Sequence, residues 1–150
     1  MVRRSIMAEI KELQTDEEIK SSFPVMKQLR THLNLKDYTS LVKEAMEKDM
    51  YRLYGQFEEG NMVAVTGFKP MITLYYGRFI WVCDLVVRED LRSSGYGEKL
   101  LSFVHQWAEE NNYENIALSS GLQREKAHRF YEEKMGYNRV SYVFKKNIEP

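Results

Sequence analysis

The sequence predicts a mixed α+β fold, with one sheet of six or seven strands and about four helices packed on it. Three observations predict this fold class. Stretches with helical spacing alternate with stretches typical of strands, the central strands follow one another with turn signals between them, and the last third runs strand–helix–strand–helix–strand. A strand that returns to the same sheet through a helix pairs in parallel by a right-handed crossover. We therefore expect antiparallel and parallel pairs in one sheet.

Length and composition favour one globular domain over residues 1–150. Of the 150 residues, 43% are apolar and 29% are charged, which suits a chain that buries a core. Residues 1–6 are expected to be a flexible extension, because Met7 offers a second start. Basic and acidic residues both number 22, so the net charge is zero and a nucleic-acid-binding surface is not indicated.

Several site classes are excluded by residue usage. Cys83 is the only cysteine, so no internal disulfide forms and a cytoplasmic location is expected. His32, His105 and His128 have no partners at metal-ligand spacing, so no metal is predicted. No window reaches the apolar length of a membrane span, and the N-terminus lacks the apolar region of a signal peptide.

The first third of the chain predicts one strand and two helices. Residues 7–13 alternate weakly and indicate the strand. Thr15 followed by Glu18 is a capping-box pattern, which predicts a helix start. Pro24 interrupts this helix because proline lacks an N–H, and helical spacing resumes through residue 33. A second helix is predicted over residues 38–50, and its apolar stripe consists of Leu41, Val42, Ala45 and Met46.

The central part predicts a hairpin and then a long apolar strand. "YRLYGQF" and "MVAVTGF" are separated by "EEGN", a turn signal that contains glycine. "LYYGRFIWVCDLVV" is aromatic and β-branched, and predicts one or two central strands. The cluster of Tyr75, Tyr76, Phe79 and Trp81 is interpreted as packing in preference to the lining of an acceptor cleft.

The last third predicts a helix over residues 96–111, a short buried strand at "NIALSS", a helix over residues 124–135 ended by Gly136, and a closing strand at "YNRVSYVFKK". The inner side of the first helix is predicted to consist of Leu100, Leu101, Val104, Trp107 and Ala108. The inner side of the helix over residues 124–135 is predicted to consist of Ala127, Phe130, Tyr131 and Met135.

A glycine-containing junction, "RSSGYG" at residues 92–97, lies where a predicted strand gives way to a helix. Gly95 and Gly97 allow unusual backbone angles and close approach of a ligand. The first turn of a helix also carries unpaired N–H groups at the positive end of the dipole. This combination suits a phosphate or diphosphate. A plain strand-to-helix turn is the competing interpretation, whereas Walker A and dinucleotide signatures do not fit the residues around Gly97.

Two motifs carry a resemblance to a known family. "LVVREDLRSSGYGEKLL" resembles motif A of the GNAT superfamily of acyl-CoA N-acyltransferases, and residues 92–97 satisfy each fixed position of its Arg/Gln-x-x-Gly-x-Gly/Ala signature. "REKAHRFYEEKMGY", residues 124–137, resembles motif B. The early strand, the two helices and the hairpin follow the family order, so the resemblance covers nearly the whole chain. It implies a GNAT-like sheet whose central parallel strand pair splays apart.

The resemblance implies acetyl-CoA as the co-substrate. In the family, the pantetheine arm lies between the splayed strands, here residues 80–88 and 115–119, and the diphosphate binds the amides of the glycine loop. The cofactor-binding residues implied are Leu85, Val86, Val87, Arg92, Ser93, Ser94, Gly95, Tyr96, Gly97 and Glu98. Arg124 stands where the family often has an asparagine that contacts the cofactor, and it is expected to meet a phosphate or the substrate.

The chemistry that the resemblance implies is direct transfer of an acetyl group to a primary amine. The amine must be neutral, the developing oxyanion needs a donor and the departing thiolate needs a proton. Tyr131 aligns with the family's proton donor, and an N–H near Val86 is expected at the oxyanion. Asp84 is the candidate base, directly or through a water, because alternation puts Val82, Asp84 and Val86 on one face. A core tyrosine and a structural acid are the competing interpretations.

Alternatives to an enzyme remain open at this point. A catalytically silent, GNAT-like acyl-CoA-binding or protein-interaction module would have the same fold, and a nucleotide-binding domain of another kind would also use a glycine loop. Cys83 lacks the histidine and acid partners of a thiol nucleophile, so a small buried cysteine is expected. The acceptor is a small-molecule or protein amine that the sequence does not identify. A homodimer is expected only by analogy with relatives.

Overall fold

A computed structural model of the chain describes residues 9–92 and 94–148. The described residues form two compact units, which divide between Leu118 and Ser119. The first unit contains the whole sheet, and the second contains the motif B helix. The proposed extension at residues 1–6 lies outside the described residues. Within the described ranges, no helix is both long and apolar enough to cross a membrane.

Five strands form a single mixed sheet in chain order. They are β1 Glu9–Glu12, β2 Arg52–Glu58, β3 Asn61–Thr73, β4 Gly77–Val87 and β5 Asn115–Leu118. The first three pairings are antiparallel and β4 pairs with β5 in parallel, which confirms the predicted mixed sheet. The described residues give five strands instead of the predicted six or seven, and the parallel pair therefore lies at the edge of the sheet and not at its centre.

Four helices accompany the sheet in the first unit: α1 Asp16–Ser21, α2 Phe23–Met26, α3 Leu35–Asp49 and α4 Tyr96–Glu110. A 3₁₀ turn at Glu89–Leu91 links β4 to α4. In the second unit, α5 Glu125–Arg129 continues as a π-helical turn over Phe130–Lys134.

The start of α1 follows the predicted capping box. The Thr15 hydroxyl accepts the Glu18 N–H at 3.2 Å, and the Glu18 carboxylate accepts the Thr15 N–H at 3.0 Å. Pro24 lies in the first turn of α2, where its missing N–H is not needed. The helical stretch predicted to reach residue 33 is wrong in length, because i→i−3 turns such as Leu29 N–H to Met26 O at 3.0 Å replace the α-helix.

Helix α3 begins three residues before the predicted start at residue 38, because Asn34 caps it. The Asn34 side chain accepts the Asp37 N–H at 2.7 Å. The predicted stripe is right at three positions, since Val42 is buried and Ala45 and Met46 pack against the same core cluster, whereas Leu41 is 54% exposed. Tyr38 is buried as well, and the Asn34 cap accounts for the earlier start of the helix.

The predicted hairpin forms, with a two-residue turn at Glu59 and Gly60, whose φ angles are 52° and 83°. The run at residues 74–87 makes one strand and not two, because residues 74–76 form the turn between β3 and β4. At this turn, the Tyr76 ring lies 4.6 Å from that of Tyr75 and 5.2 Å from that of Phe79. The packing interpretation holds for Phe79, which is buried, but not for Tyr75, which is 76% exposed.

Each face of the sheet is covered by different helices. On the α1–α3 face, Val65 and Val86 belong to a buried cluster with residues of α1, α2 and α3. On the α4 face, Ala64 packs with Leu100. The predicted inner side of α4 is confirmed at four positions that are fully or almost fully buried, Leu100, Leu101, Val104 and Ala108. The aromatic ring of Trp107 lies 5.0 Å from that of Phe68 on the same face.

A β-bulge at Cys83 reverses the alternation of β4. Phe68 pairs with Val82 and Gly67 pairs with Asp84, so Cys83 has no partner in β3. Val82 therefore points to the α4 face with Phe68, whereas Asp84 lies on the α1–α3 face with Val86. The prediction that Val82, Asp84 and Val86 share one face is wrong for Val82, because regular alternation does not continue through a bulge.

In the second unit, the predicted helix forms but the predicted closing strand does not. Ala127, Phe130, Tyr131 and Met135 are partly buried, as expected for the inner side, and Gly136 ends the helix with φ of 77°. The closing strand at "YNRVSYVFKK" is wrong: residues 138–148 have no regular secondary structure, and Val140, Tyr142 and Phe144 are exposed. An alternating pattern gives a segment strand propensity, but a strand exists only where another strand pairs with its backbone.

Candidate active site

The glycine loop presents backbone N–H groups at the start of α4. Gly95 is the N-cap residue with φ of 87°, and none of the described side chains caps the helix there. The first helical donor is Lys99, whose N–H lies 3.1 Å from the Gly95 carbonyl oxygen. The N–H groups of Tyr96, Gly97 and Glu98 therefore precede the helical hydrogen-bond ladder. A Cβ atom added at Gly95 would meet nothing within 4 Å, so the space beside the loop is open.

The side chains of the loop bind back to the protein. Tyr96 packs against Val63 and Leu100, and its hydroxyl donates to Glu58 Oε1 at 3.3 Å. Arg92 Nε donates to the Val87 carbonyl oxygen at 3.2 Å, so the guanidinium bridges the loop to the end of β4. These contacts fix the loop through its side chains. Ser94 is exposed, and Ser93 lies outside the described residues.

The strands β4 and β5 pair over only part of their length. Phe79–Val82 of β4 lie opposite Asn115–Leu118 of β5. Beyond Val82, β4 continues to Val87, where Leu85, Val86 and Val87 pair with β3 on one side. On the other side their backbone has no partner in β5. This is the edge to which the resemblance assigns the pantetheine arm.

Asp84 lies at the bulge, just beyond Val82, the last residue of β4 that pairs with β5. Its Oδ1 accepts Arg30 Nε at 2.9 Å, and its Oδ2 accepts the Tyr51 hydroxyl at 2.7 Å. Arg30 Nη2 also donates to the Cys83 carbonyl oxygen at 2.8 Å. The Thr66 hydroxyl donates to the Asp84 carbonyl oxygen at 2.7 Å. Both the backbone and the carboxylate of Asp84 are thus held by named donors, and its side chain is only 14% exposed.

Apart from the Arg30 guanidinium, the titratable groups around Asp84 are hydroxyl and thiol groups that are neutral at pH 7. Burial raises the pKa of Tyr51 well above its ordinary value, and the charge and hydrogen bond of Asp84 raise it further. Burial raises the pKa of Tyr38 to about 12, although the hydrogen bond between Tyr38 and Ser22 acts to lower this pKa. Burial also raises the pKa of the Cys83 thiol to about 12. Cys83 therefore lacks the thiolate character that a nucleophile needs.

Within the second unit, Tyr131 lies on the π-helical turn beside Arg124. Its ring is 5.3 Å from that of Phe130 and 5.8 Å from that of Tyr137. Burial raises the pKa of Tyr131, while the charge and hydrogen bond of Arg124 oppose this rise. The hydroxyl is therefore protonated at neutral pH. His128 lies nearby in the chain, and its Nε2 is 2.8 Å from the Gly121 carbonyl oxygen.

Sequence reasoning missed the residues that hold Asp84. Arg30 and Tyr51 lie 54 and 33 positions away from it, so no local pattern links them. Gly67 gave the only signal, since glycine inside a strand often marks a bulge or a close approach. A Cβ atom at Gly67 would overlap the Tyr51 hydroxyl. This glycine therefore provides the space in which Tyr51 reaches Asp84.

Comparisons with known proteins agree with this geometry. A family model described as the acetyltransferase (GNAT) family matches residues 9–137. The chain is 37% identical over 142 residues to the uncharacterized N-acetyltransferase YhdJ of Bacillus subtilis (strain 168), covering 95% of this chain and 100% of that protein.

Solved structures share the fold at low sequence identity. The aminoglycoside N-acetyltransferase AAC(6')-Iy in complex with CoA has a TM-score of 0.84 at 12% identity, with both chains covered in full. A GNAT family acetyltransferase of Staphylococcus aureus has a TM-score of 0.76 at 18% identity, with 95% of this chain and 99% of that chain covered.

Proposed function

The chain belongs to the acetyltransferase (GNAT) family, and on this premise we propose that it transfers an acetyl group from acetyl-CoA directly to a primary amine. Two features together carry the proposal: the N–H groups at the start of α4 that precede its helical hydrogen-bond ladder, and the stretch of β4 beyond Val82 that β5 does not pair with. We further propose that residues 1–150 act as one acetyltransferase domain. The relative from Bacillus subtilis supports this, since the match spans its whole length.

The residues of the glycine loop fit the diphosphate of acetyl-CoA. The N–H groups of Tyr96, Gly97 and Glu98 would bind it, and the open space at Gly95 would admit it. Ser93, Ser94 and the backbone of Arg92 would extend this cradle. When bound, the co-substrate supplies an acetyl group activated as a thioester.

The edge of β4 fits the pantetheine arm, whose amides need main-chain partners. We propose that the backbone of Leu85, Val86 and Val87 provides them, because β5 leaves this stretch unpaired. We assign Arg124 to the cofactor or the substrate as well. Its charge acts on the Tyr131 hydroxyl, which supports a place beside the reacting groups.

Three groups of this chain have roles in the proposed transfer. The Val86 N–H would donate to the carbonyl oxygen as negative charge develops there. Asp84 would accept the proton from the amine, directly or through a water, since each of its oxygens keeps an acceptor site beyond the donor already bound. The Tyr131 hydroxyl would give its proton to the departing sulfur, and its raised pKa keeps that proton in place at neutral pH.

Amine-dependent thiol release tests the proposed activity. The purified chain is incubated with acetyl-CoA and a panel of small-molecule amines and peptides that carry lysine or a free N-terminus. At least one amine is expected to release thiol in proportion to its own acetylation, followed with a thiol reagent and by mass spectrometry. Binding of CoA without release on any amine would instead support the silent binding module. Binding of ATP or NAD in place of CoA would contradict the proposed acetyl-CoA site.

A further inference from the structure

We propose that Arg30 and Tyr51 are positioning residues, which fix the carboxylate of Asp84 in the direction from which it accepts the amine proton. The inference rests on the proposed function, because it presumes that Asp84 is the base. It goes beyond that function by naming side chains distant in sequence, together with Gly67, as the parts that set the geometry of the base.

The bulge at Cys83 is the first part of this device. The extra residue turns Asp84 onto the α1–α3 face, at a point where β4 no longer pairs with β5. Arg30 spans the bulge with two donors: Nε reaches the Asp84 carboxylate at 2.9 Å, and Nη2 reaches the Cys83 carbonyl oxygen at 2.8 Å. One guanidinium therefore fixes the backbone of the bulge and the side chain that it presents.

The second part is the hydroxyl of Tyr51, which donates to the other carboxylate oxygen at 2.7 Å. Because Arg30 holds Oδ1 and Tyr51 holds Oδ2, the carboxylate cannot rotate about χ2 without breaking a hydrogen bond. Gly67, the β3 partner of Asp84, allows this contact, since any larger residue would overlap the Tyr51 hydroxyl. One acceptor site on each oxygen stays available for the proton of the amine.

The groups that face Asp84 come from several elements. They are Arg30 from the turn after α2, Tyr38 from α3, Tyr51 before β2 and Cys83 from the bulge, and the Lys69–Asp49 pair acts on Cys83 from further away. Among these, Arg30 and Tyr51 are the donors to the carboxylate. Loss of either one frees the carboxylate to rotate, so each variant should lose catalytic efficiency while the KM for acetyl-CoA stays unchanged.

The test compares Tyr51→Phe with Tyr54→Phe. Each variant removes one tyrosine hydroxyl that lies near a carboxylate. Tyr54, however, packs on Phe68 and Phe103 on the α4 face, and its hydroxyl is 3.5 Å from Glu12. Tyr51→Phe is expected to lower kcat/KM for the amine roughly tenfold and to leave the KM for acetyl-CoA unchanged. Tyr54→Phe is expected to keep the wild-type kinetics.

Arg30→Gln provides a second variant with the same expected direction, and Arg30→Lys is expected to restore only part of the rate, because lysine keeps the charge but not the two-donor geometry. A readout without acetyl-CoA is the ¹³C chemical shift of the Asp84 carboxyl carbon at pH 7. This chemical shift should change in Tyr51→Phe and in Arg30→Gln relative to the wild type, because each variant removes a hydrogen bond to the carboxylate. Circular dichroism and CoA binding establish that each variant is folded.

The outcomes separate this inference from the proposed function. If Asp84→Asn retains the wild-type kinetics, Asp84 is not the base and that assignment in the proposed function fails. If Asp84→Asn loses activity while Tyr51→Phe and Arg30→Gln keep the wild-type kinetics and carboxyl chemical shift, the base stands and only the positioning inference is overturned.

Discussion

Tyr131 is the single side chain whose hydroxyl the proposed reaction requires at its last step. Motif B places it in the sequence, and in the structure it lies on a π-helical turn beside Arg124. π-helical turns widen a helix locally and often occur at functional sites. The raised pKa, caused mainly by burial, keeps the hydroxyl protonated and so able to act as an acid.

Tyr131→Phe should therefore lower kcat by about 10²-fold, the lower range for loss of a general acid, while the affinity for CoA stays nearly the same. Steady-state kinetics and calorimetric titration with CoA measure the two quantities separately. Tyr142→Phe is the matched control, since Tyr142 is exposed in the second unit and should retain full activity. Loss of CoA binding with an unchanged turnover rate would reverse the assignment.

Asp84 shows how far a residue's role depends on its neighbours. The resemblance drew attention to it, but its face of the sheet was predicted on the assumption of regular alternation. The bulge, the guanidinium of Arg30 and the Tyr51 hydroxyl decide where its oxygens lie. None of these contacts can be predicted from the residues next to Asp84.

At the scale of elements, the start of α4 depends on the backbone conformation of Gly95. A φ of 87° is costly for any residue with a Cβ, and the open space around this glycine means that the cost comes from the backbone and not from a clash. Gly60, in the β2–β3 turn, has φ of 83° and also has open space around it. The two positions thus form a matched pair, one in the candidate site and one in a turn.

Gly95→Ala and Gly60→Ala should each lower the free energy of unfolding by about 1–2 kcal/mol. Only Gly95→Ala should also weaken CoA binding, roughly tenfold or more, because its methyl group and the altered backbone both lie where the diphosphate is proposed to bind. Urea unfolding and calorimetric titration measure the two effects. Equal CoA affinity in both variants would place the diphosphate elsewhere.

At the scale of the whole molecule, ligand binding should increase the free energy of unfolding and the Tm. A ligand that binds only the native state at about 100 times its Kd adds about 2.7 kcal/mol, which corresponds to several degrees in Tm for a chain of this size. Acetyl-CoA and CoA should both raise the Tm in differential scanning fluorimetry, whereas ATP at the same concentration should not. Absence of any shift at millimolar acetyl-CoA would contradict the proposed co-substrate.

Much of the architecture could be predicted from local patterns. The capping box at Thr15 and Glu18, the hairpin turn at Glu59 and Gly60, and the apolar side of α4 all form as expected, because each depends on residues a few positions apart. The predicted start of α3 was late, since the Asn34 cap was not recognised. The closing strand failed for a different reason, because its existence depends on a pairing partner that lies outside the segment.

The sequence by itself determined the family, the position of the glycine loop and the candidate proton donor Tyr131, because contiguous motifs encode all three. Only the tertiary structure decided that Cys83 forms a bulge, that Asp84 lies on the α1–α3 face, and that Arg30, Tyr51 and Gly67 surround it. The physical reason is the range of the interactions. Caps, turns and amphipathic faces depend on neighbours along the chain, whereas the direction of a carboxylate depends on donors that only the folded sheet brings together.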